Sequence, residues 1–113
     1  MTRQQLIRLC LQFPDAYEHY PFDDANWTVI RHRNGKKIFA WIYERESLLH
    51  INLKCEPMKA DFLRNVYQGV TPGYHMNKTH WNTVTMGLDV PLTELTAMIA
   101  ESHALTRMKI SKI

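Results

Sequence analysis

The densest cluster of chemically versatile side chains in this chain lies in residues 72–81. These ten residues contain a Pro-Gly turn, two aromatic rings, two imidazoles, an amide and an ammonium group, from Tyr74, His75, Asn77, Lys78, His80 and Trp81. The polar groups donate or accept hydrogen bonds, and the rings can anchor a loop or line a pocket. The segment therefore predicts either a structural loop or a small binding pocket.

The two imidazoles are also candidates for metal binding and for catalysis. His75 and His80 could bind a metal with Cys55 as a third ligand, or act as a general base with Cys55 or Thr79 as the nucleophile and Lys78 as an anion stabiliser. Their spacing matches no closed zinc pattern, and no motif combines a nucleophile, a base and an orienting group. We therefore expect no metal, no cofactor and no enzymatic activity.

A second chemical feature is a basic hairpin in residues 31–37. Asn34-Gly35 is a turn of the kind that needs positive φ, and its flanks carry Arg31, Arg33, Lys36 and Lys37. A two-residue turn sets Arg33 opposite Lys36, and facing like charges destabilise a sheet by roughly a few tenths of a kcal/mol. An anionic partner such as a phosphate would relieve this repulsion. The alternative is a solvated hairpin whose charges discourage edge-to-edge aggregation.

Length and composition indicate one folded domain, residues 1–113, with 45% hydrophobic and 22% charged residues. The longest apolar run is too short for a membrane span, so we expect a cytoplasmic protein, and we favour a monomer. The net charge is only +3, but residues 25–54 carry six basic and two acidic side chains. Cys10 is expected in the core, and Cys55 is either an inert packed thiol or one with a lowered pKa at a helix start.

Three apolar runs within residues 27–54 alternate with period two, which predicts three antiparallel strands. The hairpin sets Ile30 opposite Phe39 and Val29 opposite Ala40, and a four-residue turn at residues 44–47 sets Ala40 opposite Ile51. One face is then the core, with Trp27, Val29, Ile38, Ala40, Ile42, Leu49, Ile51 and Leu53. The other face carries Thr28, Ile30, His32, Lys37, Phe39, Trp41, Tyr43, Leu48, His50, Asn52 and Lys54.

The aromatic rings on this second face allow two interpretations. Exposed rings flanked by cations form a platform on which unpaired bases stack, at roughly 1 to 3 kcal/mol each. Covered rings would form a second small core, which we favour because large exposed apolar patches are rare.

Helices are predicted at residues 3–13, with Thr2 as the cap, and from Pro57 to about residue 69. The second helix has its apolar residues at roughly helical spacing: Met58, Phe62, Leu63, Val66 and Tyr67. A third helix begins at Pro91, and Ser102 is expected to cap a short final helix that ends with Arg107, Lys109 and Lys112. Residues 14–26 are predicted to be irregular, and residues 83–86 to form a strand. The result is an α+β domain with helices on one face of an antiparallel sheet of three to five strands.

The segment at residues 72–81, together with residues 13–18, Tyr20-Pro21-Phe22, residues 54–57 and Ser102, resembles the MmcQ/YjbR family of small bacterial proteins along essentially the whole chain. The resemblance implies a double-wing or frataxin-like fold and a DNA-binding role.

The family resemblance and the basic hairpin together predict a non-enzymatic nucleic-acid-binding domain. Its phosphate contacts would come from Arg31, Arg33, Lys36 and Lys37, with Lys54 and Lys78 as secondary cations. The alternative is a non-catalytic adaptor or small-ligand module that uses the pocket of Tyr74, His75, Asn77, Lys78, His80 and Trp81.

Overall fold

The computed structural model describes residues 1–107 and shows three helices and six strands. The elements follow the order α1 (Arg3–Cys10), β1 (Ala16–His19), β2 (Thr28–His32), β3 (Ile38–Arg45), β4 (Leu48–Lys54), α2 (Pro57–Val66), β5 (Val70–Pro72), β6 (Trp81–Thr85) and α3 (Leu92–Thr106). All strands join one antiparallel sheet in the order β1-β2-β3-β4-β6-β5. No helix in these residues has the length and apolar character needed to cross a membrane.

The α+β class is confirmed, but the sheet has six strands instead of three to five. The two unexpected strands, β1 and β5, are the short outer ones, with four and three residues. β1 lies in the stretch that was predicted to be irregular, and β5 ends at Pro72, inside the dense segment. Edge strands need only one hydrogen-bonded neighbour, so they tolerate proline and polar residues that mask the period-two pattern.

The core lies between the sheet and the three helices. It contains Leu6, Ile7 and Cys10 of α1, Ala60 and Leu63 of α2, and Leu95, Met98 and Ile99 of α3, packed against strand residues such as Ala40, Ile42, Ile51, Leu53 and Val84. The predicted buried stripe of α2 is partly wrong, because Met58, Phe62 and Val66 are exposed.

The helix starts follow from local capping groups. Thr2 Oγ1 accepts a hydrogen bond from Gln5 N at 3.2 Å, and Gln5 Oε1 accepts one from Thr2 N at 2.9 Å, which confirms the predicted cap. Pro57 begins α2, where its missing N–H costs nothing, and the Glu56 carboxylate accepts from Met58 N. α1 ends at Cys10, earlier than predicted.

The β3–β4 hairpin keeps the predicted faces but not the predicted register. Arg45 pairs with Leu48 around a two-residue turn in which Glu46 and Ser47 have φ of 55° and 65°. Ala40 therefore faces Leu53 instead of Ile51. Because the shift is two residues, the side chains of residues 40–43 and 48–54 stay on their predicted faces.

A bulge in β3 corrects the face assignment of β2. Ile30 pairs with Ala40 whereas Arg31 pairs with Ile38, so that Phe39 is the extra residue. Phe39 therefore turns to the helical face with Ala40, where its ring contacts Phe13 and His103. The bulge also places Thr28, Ile30 and His32 on the helical face and Trp27 and Val29 on the opposite face, the reverse of the prediction.

Ser102 is not a helix cap. It lies inside α3, one continuous helix of 15 residues where two were predicted. Its fully buried Oγ donates to Phe39 O at 2.6 Å and accepts from Lys54 N at 2.8 Å, so it ties α3 to β3 and β4. The predicted terminal cations Lys109 and Lys112 lie outside the described residues.

Candidate nucleic-acid interface and aromatic pocket

The β2–β3 connection carries the four predicted hairpin cations at one end of the sheet. Its turn uses positive φ at Gly35 (78°) and Lys36 (57°). Arg33 does not pair with Lys36 as predicted, because Arg33 N donates instead to Asp15 O at 2.7 Å. The hairpin is therefore fixed to the start of β1.

The hairpin cations have no acidic partner within the described residues. Among residues 1–107, no carboxylate oxygen lies within 4.0 Å of their charged nitrogens. Arg31 donates to His19 Nδ1 at 3.0 Å and to Lys36 O at 2.8 Å, and the Arg33 guanidinium lies 5.5 Å from the centre of the Tyr17 ring. These contacts are with neutral groups, so the positive charges remain available to an anion.

Two further cations lie at the same end of the molecule. The strand register places Lys54, at the end of β4, beside the start of β3. α3 reaches this end as well, since Thr106 Oγ1 lies 2.9 Å from His32 Nε2, and Arg107 follows Thr106. We call this group the basic end; it comprises Arg31, Arg33, Lys36, Lys37, Lys54 and Arg107.

Lys78, the remaining cation predicted to contact phosphate, is bonded within its own loop. Its Nζ donates to Gly73 O at 3.0 Å and to Met76 O at 3.4 Å. Arg64 of α2 also donates to Lys78 O, and its Nε bonds Asn82 Oδ1 at 2.6 Å. Lys78 and Arg64 therefore hold the loop in place.

The predicted six-residue motif divides into anchored and exposed members. Tyr74 is anchored, since its N–H donates to Thr83 Oγ1 at 2.9 Å and its carbonyl accepts from Asn52 Nδ2 at 2.9 Å. Trp81 is only partly buried, whereas the other four motif side chains are exposed: His75, Asn77, Lys78 and His80. Asn77 Oδ1 accepts from Thr79 N at 2.9 Å, a local turn contact.

The loop covers Tyr43 on the second sheet face, which confirms part of the favoured interpretation of a second small core. Trp41 stays partly exposed, and Phe39 lies in the main core instead. Trp27 stacks on Tyr43 with ring centres 4.3 Å apart. The centre of the Tyr74 ring lies 5.6 Å from that of Tyr43 and 6.5 Å from that of Trp27. The Arg45 guanidinium lies over Tyr74 at 4.3 Å. We call this surface the aromatic face; it comprises Trp27, Trp41, Tyr43 and Tyr74, with Asn52 and Thr83 beneath them.

The polar groups of the aromatic face bond to each other. Asn52 Oδ1 accepts from Tyr43 Oη at 2.8 Å and from Thr83 Oγ1 at 2.6 Å. Burial raises the pKa of the Tyr43 hydroxyl, which keeps it protonated as the donor that Asn52 requires. The network is therefore closed within the protein.

A pocket of about 380 Å³ opens beside this network. Its walls are mainly apolar, and they consist of Phe22, Asp24, Trp27, Trp41, His75 and Met76. The volume lies in the lower part of the range of small-molecule sites. Trp41 Nε1 is buried without a hydrogen-bond partner, alone among the buried side-chain N and O atoms of the described chain.

Asp15, His32 and His103 form a cluster at the base of the basic end. Asp15 Oδ2 lies 2.7 Å from His32 Nδ1, and Asp15 Oδ1 lies 2.8 Å from His103 Nε2. Burial opposes ionisation of the carboxyl group, but hydrogen bonds from His103 and His32 outweigh it and hold the pKa of Asp15 below its ordinary value.

The thiols are packed, as the more conservative interpretation held. Burial raises the pKa of Cys10 and of Cys55 to about 12, so the lowered pKa considered for Cys55 is wrong. Cys55 also does not join His75 and His80 in any group of three metal-binding side chains within residues 1–107.

Sequence reasoning missed two sets of residues. The pocket walls Phe22 and Asp24 lie in a stretch without periodicity, and the period-two alternation placed Trp27 on the wrong face. Asp15 and His103 are 88 residues apart and belong to no spacing motif. The one available signal was that His32 and His103 are histidines within otherwise regular secondary structure.

Comparison with known proteins identifies relatives along most of the chain. A family model described as YjbR matches residues 11–105. The chain is 35% identical over 95 residues to the uncharacterized protein YbdF of Escherichia coli O157:H7, covering 84% of this chain and 75% of that protein. It is 28% identical over 103 residues to the uncharacterized protein YjbR of E. coli K12, and the match covers 91% of this chain and 85% of that protein.

A solved structure supports the same assignment. The crystal structure of a Pseudomonas syringae protein aligns with a TM-score of 0.85 and 30% identity, covering 95% of this chain and all of that one. The family model spans most of the chain, YbdF is 35% identical, and the chain belongs to the YjbR family.

Proposed function

We propose that this domain is a cytoplasmic, non-enzymatic nucleic-acid-binding module that contacts DNA phosphates through the basic end. The observation that supports it is the absence of any carboxylate within 4.0 Å of the hairpin cations in residues 1–107. Elsewhere in the same residues, Arg3, Arg45 and Lys59 each have a carboxylate partner within this distance.

Phosphate contacts position a protein on DNA but carry no direct sequence information. The basic end consists of a hairpin tip and the ends of β4 and α3, so its cations do not lie along the face of one helix. We therefore expect binding that depends on salt and varies little with sequence.

A matched pair of exposed arginines tests the location of binding. Arg33 belongs to the basic end, whereas Arg8 lies on α1 and its Nε bonds only Gln4 O at 3.4 Å. Fluorescence anisotropy with a labelled duplex at low salt should show affinity weakened about tenfold or more by Arg33→Ser, since a hydrogen bond to a charged group contributes about 1.5 to 3 kcal/mol. Arg8→Ser should stay within about twofold. Equal effects of the two substitutions, or no binding by the unaltered protein, would refute the proposal.

The non-enzymatic part of the proposal has its own support. Cys55 was a candidate nucleophile, and burial raises its pKa to about 12, which leaves almost no thiolate near neutral pH.

A second candidate function is the binding of a small apolar or planar molecule in the pocket beside Trp27 and Trp41. The observation that favours it is the pocket of about 380 Å³ with largely apolar walls, together with the unpaired donor of Trp41. An unpaired buried donor costs about 1 to 3 kcal/mol, which an acceptor on a ligand could offset after a small side-chain movement.

A neutral fluorescent probe, N-phenyl-1-naphthylamine, tests this candidate without attraction to the basic end. Phe22 lines the pocket and is 46% exposed, whereas Phe62 on α2 is 63% exposed and lies outside the pocket. Saturable binding that Phe22→Ala weakens and Phe62→Ala leaves unchanged would support the pocket. Probe binding that both substitutions weaken equally, or none, would exclude it.

A further inference from the structure

Three potential metal ligands converge at one point of the fold. Asp15 precedes β1, His32 ends β2 and His103 lies in the last turn of α3, yet one ligand atom from each lies within 4.8 Å of the others. No second group of three such side chains occurs in residues 1–107. The sequence-based expectation of no metal covered the whole chain, although it was argued from His75 and His80, and a metal site at this cluster would depart from it.

The contacts of His32 leave one position, between its Nδ1 and Asp15, for a proton or a metal ion. Thr106 Oγ1 donates its hydrogen to a backbone carbonyl, Ser102 O at 2.7 Å, so its oxygen accepts from His32 Nε2–H at 2.9 Å. In the neutral ring, Nδ1 then carries a lone pair, and this lone pair faces Asp15 Oδ2 at 2.7 Å. Two lone pairs at that distance repel each other unless a proton or a metal ion lies between them.

The surroundings hold both rings in the orientation that a metal ligand requires. Metal-binding histidines usually donate their second N–H to a neighbouring acceptor, as His32 does to Thr106. His103 stacks on Phe13 with ring centres 4.1 Å apart and an interplanar angle of 11°. The Nε2 atom of His103 thereby points at Asp15 Oδ1.

We propose that Asp15, His32 and His103 bind a first-row divalent cation of the zinc type through His32 Nδ1, His103 Nε2 and one carboxylate oxygen of Asp15. Two imidazoles and one carboxylate suit zinc and its neighbours better than calcium or magnesium, which prefer oxygen ligands. Bonds of about 2.1 Å in a tetrahedral site set ligand atoms about 3.4 Å apart, so small side-chain rotations suffice.

The exposure of the ligands defines the open side of the site. The side chains of Asp15 and His103 are 36% and 14% exposed, whereas that of His32 is 1% exposed. The ion therefore enters past Asp15, and its remaining coordination positions face solvent, available to water or to an external ligand. The site does not depend on the nucleic-acid proposal, and each can fail without the other.

Histidine side-chain NMR tests the assignment directly. Zn²⁺ is added to tag-free, chelator-treated protein, and long-range ¹H–¹⁵N spectra follow the six histidines. The ¹⁵N resonances of His32 Nδ1 and His103 Nε2 should change together and saturate at one equivalent, while those of exposed His80 stay unchanged. Unchanged His32 and His103 resonances at one equivalent would overturn the proposal.

Affinity measurements with a competing fluorescent chelator provide matched variants. His103→Gln removes a ligand and should weaken Zn²⁺ binding by more than the roughly 10- to 100-fold that loss of an outer-shell partner costs. His80→Gln, the control, should change the affinity by less than about twofold. Asp15→Asn is measured in parallel, so that a folding defect in one variant leaves the other to decide. Unchanged affinity in a folded variant of either ligand would refute the site.

Discussion

On the aromatic face, the Asn52 side chain is fully buried and bonds to Tyr43, Thr83 and Tyr74. At the basic end, Arg33 and Lys36 are exposed, and no carboxylate in the described residues neutralises them. The first region uses its polar groups to hold its own structure. The second leaves its charges without a carboxylate in residues 1–107, which is what the proposed phosphate contacts require.

The same distinction appears between two lysines. Lys78 lies in the segment that is richest in chemical groups, but its ammonium bonds two carbonyls of its own loop. Lys36 lies in the β2–β3 turn, and its ammonium makes no hydrogen bond within the described residues. A high density of functional groups in a sequence therefore does not show which of these groups stay unpaired after folding.

The largest effect on stability is expected from Asn52→Ala on the aromatic face. The substitution removes three hydrogen bonds and leaves buried partners unsatisfied, so the free energy of unfolding should fall by about 3 to 5 kcal/mol. Urea denaturation measures it. Asn65→Ala, which removes only an exposed bond to Asp61 O, should cost less than about 0.5 kcal/mol. Similar losses in both variants would mean that the network is not structural.

Tyr43→Phe is a milder test of the same network. The ring stays in its stack with Trp27, and the hydroxyl loses its bond to Asn52 and a longer contact of 3.4 Å with Thr83 Oγ1, so we expect a cost of about 1 to 1.5 kcal/mol. The control is Tyr20→Phe, since Tyr20 is exposed and its hydroxyl bonds Glu18 at the surface. Its effect should stay below about 0.5 kcal/mol, and a larger loss there than in Tyr43→Phe would reverse the comparison.

The ion pair between Glu101 and Lys59 should add a small amount to the free energy of unfolding, and this amount should be lost in acid. Burial tends to raise the pKa of Glu101, but hydrogen bonds from Lys59 Nζ and Glu56 N outweigh it and set this pKa below its ordinary value. Its contribution is therefore present above about pH 4.3 and is lost as the pH falls through the lower folded-state pKa.

Glu101→Gln should cost less than about 1 kcal/mol at neutral pH, because the pair is 22% and 52% exposed. The difference from the unaltered protein should vanish in strong acid, as followed by urea denaturation at several pH values. Asp61→Asn, at an exposed position of α2, is the control. A difference that persists in strong acid would contradict the assigned cause.

The smallest stability effect is expected at the basic end. Arg33→Ser combined with Lys36→Ser should change the free energy of unfolding by less than about 0.5 kcal/mol, since neither side chain has an acidic partner in the described residues. A melting temperature that falls as far as that of Asn52→Ala would show that these cations are structural.

The sequence predicted those parts of the fold that depend on local patterns. The Thr2 cap, Pro57 at the start of α2 and the two faces of the β3–β4 hairpin from Ala40 onward all follow from neighbouring residues. The bulge at Phe39 could not be predicted this way, because one extra residue reverses the alternation without any change of residue type. Ser102 was likewise assigned to a cap because its partners, Phe39 O and Lys54 N, lie on distant strands.

The candidate sites show the same limit. The hairpin cations are adjacent in sequence, so their clustering was predicted, although the lack of acidic partners depends on the folded chain. The cluster of Asp15, His32 and His103 joins three elements and exists only after the sheet and α3 have packed. Contacts at such long sequence separation have no local signature.

The salt dependence of DNA binding tests the central claim most directly. If the basic end contacts four phosphates, the slope of log affinity against log salt should be about −3.6 for a duplex, and Arg33→Ser with Lys36→Ser should reduce its magnitude by about 1.8. In anisotropy titrations from about 50 to 200 mM salt, the double variant should weaken binding to unrelated DNA sequences to the same extent. An unchanged slope in the double variant, or no binding to duplex or single strands at the lowest salt, would contradict the account.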